Sequence, residues 1–220
     1  MQFHLKGQKE TDYYAHSRFE MLKYIPLDTN NILEFGCSNG AFGSIVKSKI
    51  TCTYTGIEPF EESANIASKI LDRVIQSTAE EYINFVMPKE TLLYDTIVFN
   101  DVLEHLVNPE EILNSVRAIL TPNAVIVASI PNFIYYPNLV EIIVKRDWEY
   151  KESGILDKTH LRFFTKKSII RLFENAGYRI TKIEGINPFA SRKFQLINWV
   201  ALNRLNEFRF LQYAVSAIQT

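Results

Sequence analysis

Two short stretches and one isolated carboxylate hold most of the groups that could do chemistry. In Leu33-Glu34-Phe35-Gly36-Cys37-Ser38-Asn39-Gly40-Ala41-Phe42-Gly43 an apolar run opens through a glycine turn onto a helical pattern, so a ligand can approach bare backbone. Glycines at 36, 40 and 43 do not form the Gly-x-Gly-x-x-Gly spacing, and no Gly-Lys-Ser/Thr follows, which disfavours a pyrophosphate cradle. Glu58 lies 22 residues beyond Gly36, near the ~20-residue offset at which an acid accepts hydrogen bonds from the two ribose hydroxyls. Together they describe a pocket for an adenosine-type ligand; the competing reading is a structural turn and a surface Glu. A second stretch, Phe99-Asn100-Asp101-Val102-Leu103-Glu104-His105-Leu106, carries polar groups at the end of another apolar run. Asp101 and Glu104 could equally cap a helix or face solvent, and His105 could be a packed, hydrogen-bonded histidine.

Groups so spread along the chain need a scaffold that brings them to one edge. Short β-branched runs alternate with helical stretches, the pattern of a doubly wound α/β fold with a mostly parallel sheet. Strands are expected at Asn31 to Phe35, Tyr54 to Glu58, Arg73 to Gln76, Asp95 to Asn100 and Ala124 to Ile130, several of them apolar on both faces. Helices are expected at Ala41 to Lys49, Phe60 to Leu71, Ala79 to Phe85 and Pro109 to Leu120, where apolar residues recur every three or four positions. Thr165 reads as an N-cap for Lys166 to Asn175, with Gly177 as the left-handed residue beyond its end. Tyr178 to Glu184 is a sixth strand, and Leu211 to Ile218 a seventh hairpinned against it, after a helix at Arg192 to Asn206. In such open sheets ligands bind at the carboxyl ends of the strands, where Gly36, Glu58 and Asn100 fall.

Composition narrows the class. The 220 residues are 47% hydrophobic and 22% charged, which fits one globular domain and disfavours disorder. Lys+Arg at 24 against Asp+Glu at 25 gives a net charge of −1, so no nucleic-acid partner is expected. No apolar window is long enough to span a membrane and Met1 to Glu10 lacks a signal-peptide pattern, so a cytoplasmic location is expected. Cys37 and Cys52 form no Cys-x-x-Cys motif, and no disulfide is expected.

On these residues the chain resembles the class I S-adenosylmethionine (SAM)-dependent methyltransferases. Glu34 to Gly40 is similar to their Glu-x-Gly-x-Gly-x-Gly first motif, Glu58-Pro59 to their ribose-binding acid, and Asp95 to Leu106 to their fourth-strand motif. The resemblance runs from about Tyr13 to Gly185. It includes Ser129-Ile130-Pro131-Asn132 and the segment Gly154 to Thr165, which looks like a subgroup associated with bacterial surface-glycan synthesis. Ser38 replaces the middle glycine of the first motif, and Thr78 stands where many relatives have an Asp.

The resemblance implies a seven-stranded Rossmann-like sheet whose last strand is antiparallel, with SAM as cofactor and S-adenosylhomocysteine as product. It places the methionine moiety near Glu34, Gly36, Cys37, Ser38, Gly40 and Phe42, and the ribose at Glu58 and Pro59. The adenine falls near Thr78, Ala79 and Glu80, with further contacts from Asn100, Asp101 and Leu103. Tyr14 and Arg18 would cover the cofactor from an N-terminal cap helix within residues 1–28.

Pro131 to Phe164, 34 residues rich in Tyr, Trp and charge, is too long for an ordinary connection and reads as a lid or substrate loop. Within it Asn132, Tyr135, Tyr136, Trp148 and Arg162 are candidate substrate contacts, the aromatic ones by stacking on a sugar or ring; their plainer alternative is lid core. Methyl transfer is an in-line displacement in which positioning matters most, and a general base helps a hydroxyl acceptor. His160 is the first candidate base, His105 the second and Asp101 a supporting acid. Asp157 and His160 with Asp101 and Glu104 could gather around Mg²⁺, but no spacing requires it and no metal is assigned. The tail from Ile186 to Thr220 has a net charge of +3 with interleaved aromatics; it reads as sheet-covering helix and edge strand, a dimer surface or an interfacial membrane patch.

The expected function is O-methylation of a small molecule or of a sugar unit of a surface polysaccharide. A quinone-type precursor is the alternative acceptor. A catalytically silent SAM-binding subunit is the alternative function, and a nicotinamide dehydrogenase is disfavoured by the glycine spacing.

Overall fold

In a computed structural model, which describes residues 18–220, seven strands form one sheet in the order β3-β2-β1-β4-β5-β7-β6. The strands are β1 (Asn31–Phe35), β2 (Thr53–Glu58), β3 (Arg73–Gln76), β4 (Tyr94–Asn100), β5 (Leu120–Pro131), β6 (Tyr178–Pro188) and β7 (Phe210–Gln219). The first five run parallel, and β7 pairs antiparallel with both β5 and β6. This is the doubly wound Rossmann-like architecture expected from the sequence. The tail strand differs in place: it was expected at an edge, yet β7 lies inside the sheet and β6 forms the edge. The burial pattern gives the reason, since six consecutive residues from Gln212 to Ala217 are buried, whereas β6 alternates and exposes much of its length.

The parallel strands are two-faced apolar runs, and each face builds its own core. Leu33, Phe35, Ile97, Phe99, Ile126 and Ala128 pack with the helices Pro109–Ser115 and Lys166–Asn175 on one side. Ile32, Val98 and Val127 pack on the other side with Phe42 and Val46 of helix Ala41–Lys47 and with Met21 and Tyr24. Alternate side chains of a strand point to opposite faces, so two cores follow from one run.

The helices are shorter than their periodicity suggests. Phe60 to Leu71 forms an α-helix only over Glu61–Ala67. Pro109 to Leu120 is α-helical over Pro109–Ser115 and then tightens to 3₁₀ over Val116–Ile119. Ala79 to Phe85 is one α-turn, Ala79–Glu81, that widens into a π-turn at Tyr82–Val86. The tail helix stops at Val200 rather than Asn206. There Leu202 and Asn203 adopt left-handed backbone, and buried Asn198 draws the chain round by hydrogen bonds to Asn203, Asn206 and the Leu205 N–H. End signals behave as read: Thr165 and Ser168 form a capping box, and Gly177 is left-handed with φ +81°.

The 131–164 segment contains regular structure that was not expected, an α-turn at Tyr136–Leu139 continued by a π-turn at Val140–Lys145. Its base is anchored. Asn132 is fully buried and donates its side-chain N–H groups to the carbonyls of Glu207 and Phe210, and its backbone bridges to Phe164.

At the opposite, amino end of the sheet, Asp95 ties three strands. Its carboxylate accepts the backbone N–H groups of Asn30 and Asn31 at 2.9 and 3.0 Å and the Thr121 hydroxyl at 3.2 Å. Removing it leaves two strand-end donors unpaired. Asp95→Ala is expected to lower unfolding free energy by about 2 kcal/mol, measured by urea denaturation. An unchanged midpoint would show that water replaces the carboxylate at no cost.

Candidate functional site

The site starts from strand register. Phe35 of β1 pairs with Ile57 of β2 and with Phe99 of β4, so the residues that follow, Gly36, Glu58 and Asn100, emerge level at the carboxyl edge. Gly36 turns the chain there with φ +68°, and a Cβ on it would sit 2.7 Å from Val102 Cγ2. Its N–H and that of Cys37 both reach the Ile57 carbonyl, at 2.8 and 3.1 Å. Ser38, at the family's glycine position, adopts left-handed backbone with φ 49°, and Gly40 does so at φ 81° to open helix Ala41–Lys47. The turn keeps its glycine geometry although Ser38 is not glycine, at a local cost of about 1 kcal/mol.

Glu58 closes this turn from the second strand. Its carboxylate is 3% exposed and accepts the Ser38 N–H at 2.8 Å and the Phe60 N–H at 3.1 Å. Burial pushes its acid up, while those two N–H groups pull it down. Each oxygen keeps acceptor capacity beyond these bonds, as a ribose diol requires. Pro59 beside it is exposed. At the next strand end Thr78 is exposed and forms a capping box with Glu81, which places Ala79 and the half-buried Glu80 at the same edge.

Glu34 and Asn100 form the floor. The Tyr54 hydroxyl donates to Glu34 at 2.9 Å, and the Asn100 amide donates to it at 3.4 Å. Among the described residues Asn100 Oδ1 is buried with no partner, an acceptor at the edge where a cationic ligand group would be satisfied. The set therefore fits a ligand with a ribose diol and an amino-acid end: two carboxylates, a spare amide oxygen and exposed turn backbone. Desolvation raises the Glu34 carboxyl to about 8.

Some candidate residues serve packing in place of a ligand. Phe42 lies in the core against Met21 and Val46, and Leu103 is wholly buried on the other face. Cys37 is buried against Gly56, and burial pushes its thiol far up. Asn132 spends both its amide N–H groups on clamping the tail, while its Oδ1 is buried with no partner among the described residues. Tyr14 lies outside the described residues. Arg18 forms an ion pair with Asp101 and donates to Gln212 at 2.8 Å. Asp101, left-handed at φ 52°, also accepts from Ser129 at 3.1 Å and Gln212 at 2.6 Å. These bonds make Asp101 a bracket between Arg18, β5 and β7 at the sheet edge. Gln212, 111 residues away, could not be found from the sequence, where nothing distinguishes it from any strand glutamine.

The two histidines meet. Backbone N–H groups of Leu161 and Arg162 both bond the Glu104 carbonyl, at 2.9 and 3.0 Å, stitching the loop to the turn after β4. His105 and His160 then stack edge to face with centroids 4.7 Å apart. His160 is 7% exposed, its Nδ1 is 3.0 Å from the Ile155 carbonyl, and its Nε2 lies 3.9 Å from Glu104. His105 is half-buried, with Nδ1 at 3.2 Å from both Thr159 oxygens. Burial lowers both imidazoles, so each is neutral at pH 7. Of the two rings His105 is the more accessible.

Above them Trp148 packs on Phe133 and Phe163, and Tyr135 and Tyr136 pack on Phe189. The two aromatic groups are thus separate. Trp148, 41% exposed, is the more open one, and Arg162 points to the Val107 carbonyl. In the tail helix Phe194 and Asn198 are buried, while Leu196, Trp199 and Val200 stand in solvent. Among the described residues no helix is long and apolar enough to cross a membrane.

Residues 8–183 match a protein family described as a methyltransferase domain. The ubiquinone biosynthesis O-methyltransferase of Actinobacillus pleuropneumoniae is 25% identical over 182 residues, covering 78% of this chain and 76% of that protein. A SAM-dependent methyltransferase from Archaeoglobus fulgidus superposes with a TM-score of 0.69 at 19% identity, covering 99% of each chain. The plantazolicin methyltransferase in complex with SAH superposes with a TM-score of 0.61 at 19% identity, covering 96% of this chain and 84% of that one.

The raised Glu34 carboxyl has a direct consequence for stability. Between its ordinary value of 4.5 and about 8 the folded chain holds a proton that the unfolded chain has released. Stability therefore falls as pH rises through that window. The melting temperature of the ligand-free protein is expected to decline from pH 5 to 8.5. Glu34→Gln, which keeps an acceptor for Tyr54, should make the decline visibly shallower; superimposable pH profiles would refute the assignment.

Proposed function

This chain belongs to the methyltransferase-domain family, and on that premise we propose that it transfers the SAM methyl group to a hydroxyl oxygen of a small molecule. The observation that carries the reading is the level edge at which Gly36, Glu58 and Asn100 emerge, inside the span that matches the family. In this reading Glu58 accepts both ribose hydroxyls, and Glu34 with Asn100 Oδ1 faces the cationic methionine end. Ala79 and the Thr78 turn flank the adenine. Arg18, held by Asp101, covers the cofactor from the N-terminal side.

Bound SAM supplies an electrophilic sulfonium methyl group. The chain's own residues fix its direction and keep water out, which in near-attack geometry contributes roughly 7–11 kcal/mol of the barrier lowering. A base at the acceptor hydroxyl adds about 10²–10⁴-fold. Neutral His105, beside the carboxyl edge and half-buried, is suited to accept that proton, with His160 behind it. Trp148 and Tyr150, which lie edge to face on the outer loop, offer a stacking surface for a ring.

The acceptor is a sugar unit of a surface polysaccharide in the reading that follows the Gly154 to Thr165 resemblance. The quinone-type precursor is a second reading, supported by the name of the Actinobacillus pleuropneumoniae relative. Titration calorimetry of the purified chain is expected to show one site for SAM and for S-adenosylhomocysteine. Glu58→Ala should weaken both at least tenfold, since it removes the diol acceptor and loosens the Ser38 turn. Methyl transfer from labelled SAM to nucleotide-linked sugars, set beside transfer to dihydroxylated phenols, then separates the acceptors. Binding with no turnover on either panel would favour the silent subunit, and absence of binding would sink the proposal.

A further inference from the structure

We propose that Glu104, His105 and His160 form a binding site for one divalent transition-metal ion of the zinc type. One ligand atom from each of the three side chains can be chosen so that all lie within 4.8 Å of one another. The feature that invites a partner is Glu104: it is 1% exposed, and among the described residues neither carboxylate oxygen has a hydrogen-bond partner. Burial favours the protonated form of this acid, and a bound cation would recover the charged one.

The two imidazoles are prepared as ligands. A carbonyl accepts only from a protonated nitrogen, so the Ile155 carbonyl fixes the proton of His160 on Nδ1. Its lone pair is then on Nε2, the atom that lies 3.9 Å from Glu104 Oε1. The Thr159 carbonyl holds His105 Nδ1 in the same way and leaves Nε2 as its free nitrogen. Histidine ligands commonly have their second nitrogen held by a carbonyl in this manner, which fixes tautomer and ring direction. Thr159 is itself fixed by Asp157, whose carboxylate accepts both its N–H and its hydroxyl at 2.7 and 2.6 Å.

The donor set selects the metal. Two imidazoles and one carboxylate suit Zn²⁺, Co²⁺ or Fe²⁺ better than Mg²⁺, and they leave a fourth position open. The oxygen-rich set considered from the sequence does not assemble, because Arg18, Ser129 and Gln212 engage Asp101 and Thr159 engages Asp157. Drawing the atoms onto bonds of about 2.1 Å requires the side chains to close by roughly 1 Å. The half-buried His105 can supply that movement by rotating its ring.

Chelator-treated full-length protein, without SAM, is titrated with Co²⁺ and then Zn²⁺, following Co²⁺ visible absorption and bound metal per chain. One Co²⁺ per chain, displaced by Zn²⁺, is expected. Glu104→Gln and His105→Ala should each weaken binding 10–100-fold; their melting curves and SAM affinities establish that they are folded. Folded wild-type protein that takes up no stoichiometric metal overturns the site, as does binding unchanged in both folded variants. A metal on His105 Nε2 takes the lone pair proposed above to receive the acceptor's proton, so a bound ion would displace that base role; the metal titration contains no SAM and the SAM titration contains no metal, so failure of this site and failure of the cofactor site are read separately.

Discussion

Three strands of a parallel sheet can share an edge only if their registers bring their ends level, and that alignment governs the rest of this molecule. Phe35 set between Ile57 and Phe99 determines that the Gly36 turn, the Glu58 carboxylate and Asn100 face a common space. A slip of one residue in β1 would turn Glu34 from the floor into the opposite core and reverse the two apolar faces. The polar groups thus owe their convergence to the same hydrophobic pairing that stabilises the sheet, and chemistry and stability cannot be separated at these positions.

The cost of that arrangement is concentrated in three acids. Glu34, Glu58 and Glu104 are each at most 3% exposed, the three most deeply buried carboxyl groups among the described residues. Their partners differ in kind. Glu58 is satisfied by backbone N–H groups, Glu34 by a phenol and an amide, and the Glu104 oxygens by no hydrogen bond among the described residues. The first two acids therefore organise their own surroundings. The third stands beside two oriented imidazoles, where the proposed ion would complete it.

The parallel strands, Glu58 and the turn after Gly36 were legible in the sequence because each leaves a local mark: an apolar run, a fixed offset, a glycine. The Thr165 cap was legible for the same reason. Helix lengths were not, since packing on the sheet tightens or widens the last turn of a helix in ways that periodicity does not record. The clamp made by Asn132 was not legible, because a buried amide that binds carbonyls has the same residue type as one that meets a substrate. Gln212 and the His105–His160 contact were invisible for another reason. Their partners lie 111 and 55 positions away, and only the closed sheet and the stitched loop bring them together.

The position of β7 bears on how the chain is made. β6 precedes β7 in the sequence, yet among the described strands it pairs only with β7. During synthesis from the amino end, the five parallel strands can assemble while the long flank of β5 is still open, and β6 has no place to dock until Phe210–Gln219 has emerged. For that interval a nascent chain displays the backbone of Val125 to Pro131 as an unpaired, mostly apolar edge, the kind of edge that recruits other chains. The residues that close the sheet are thus also its protection against self-association, and they arrive late.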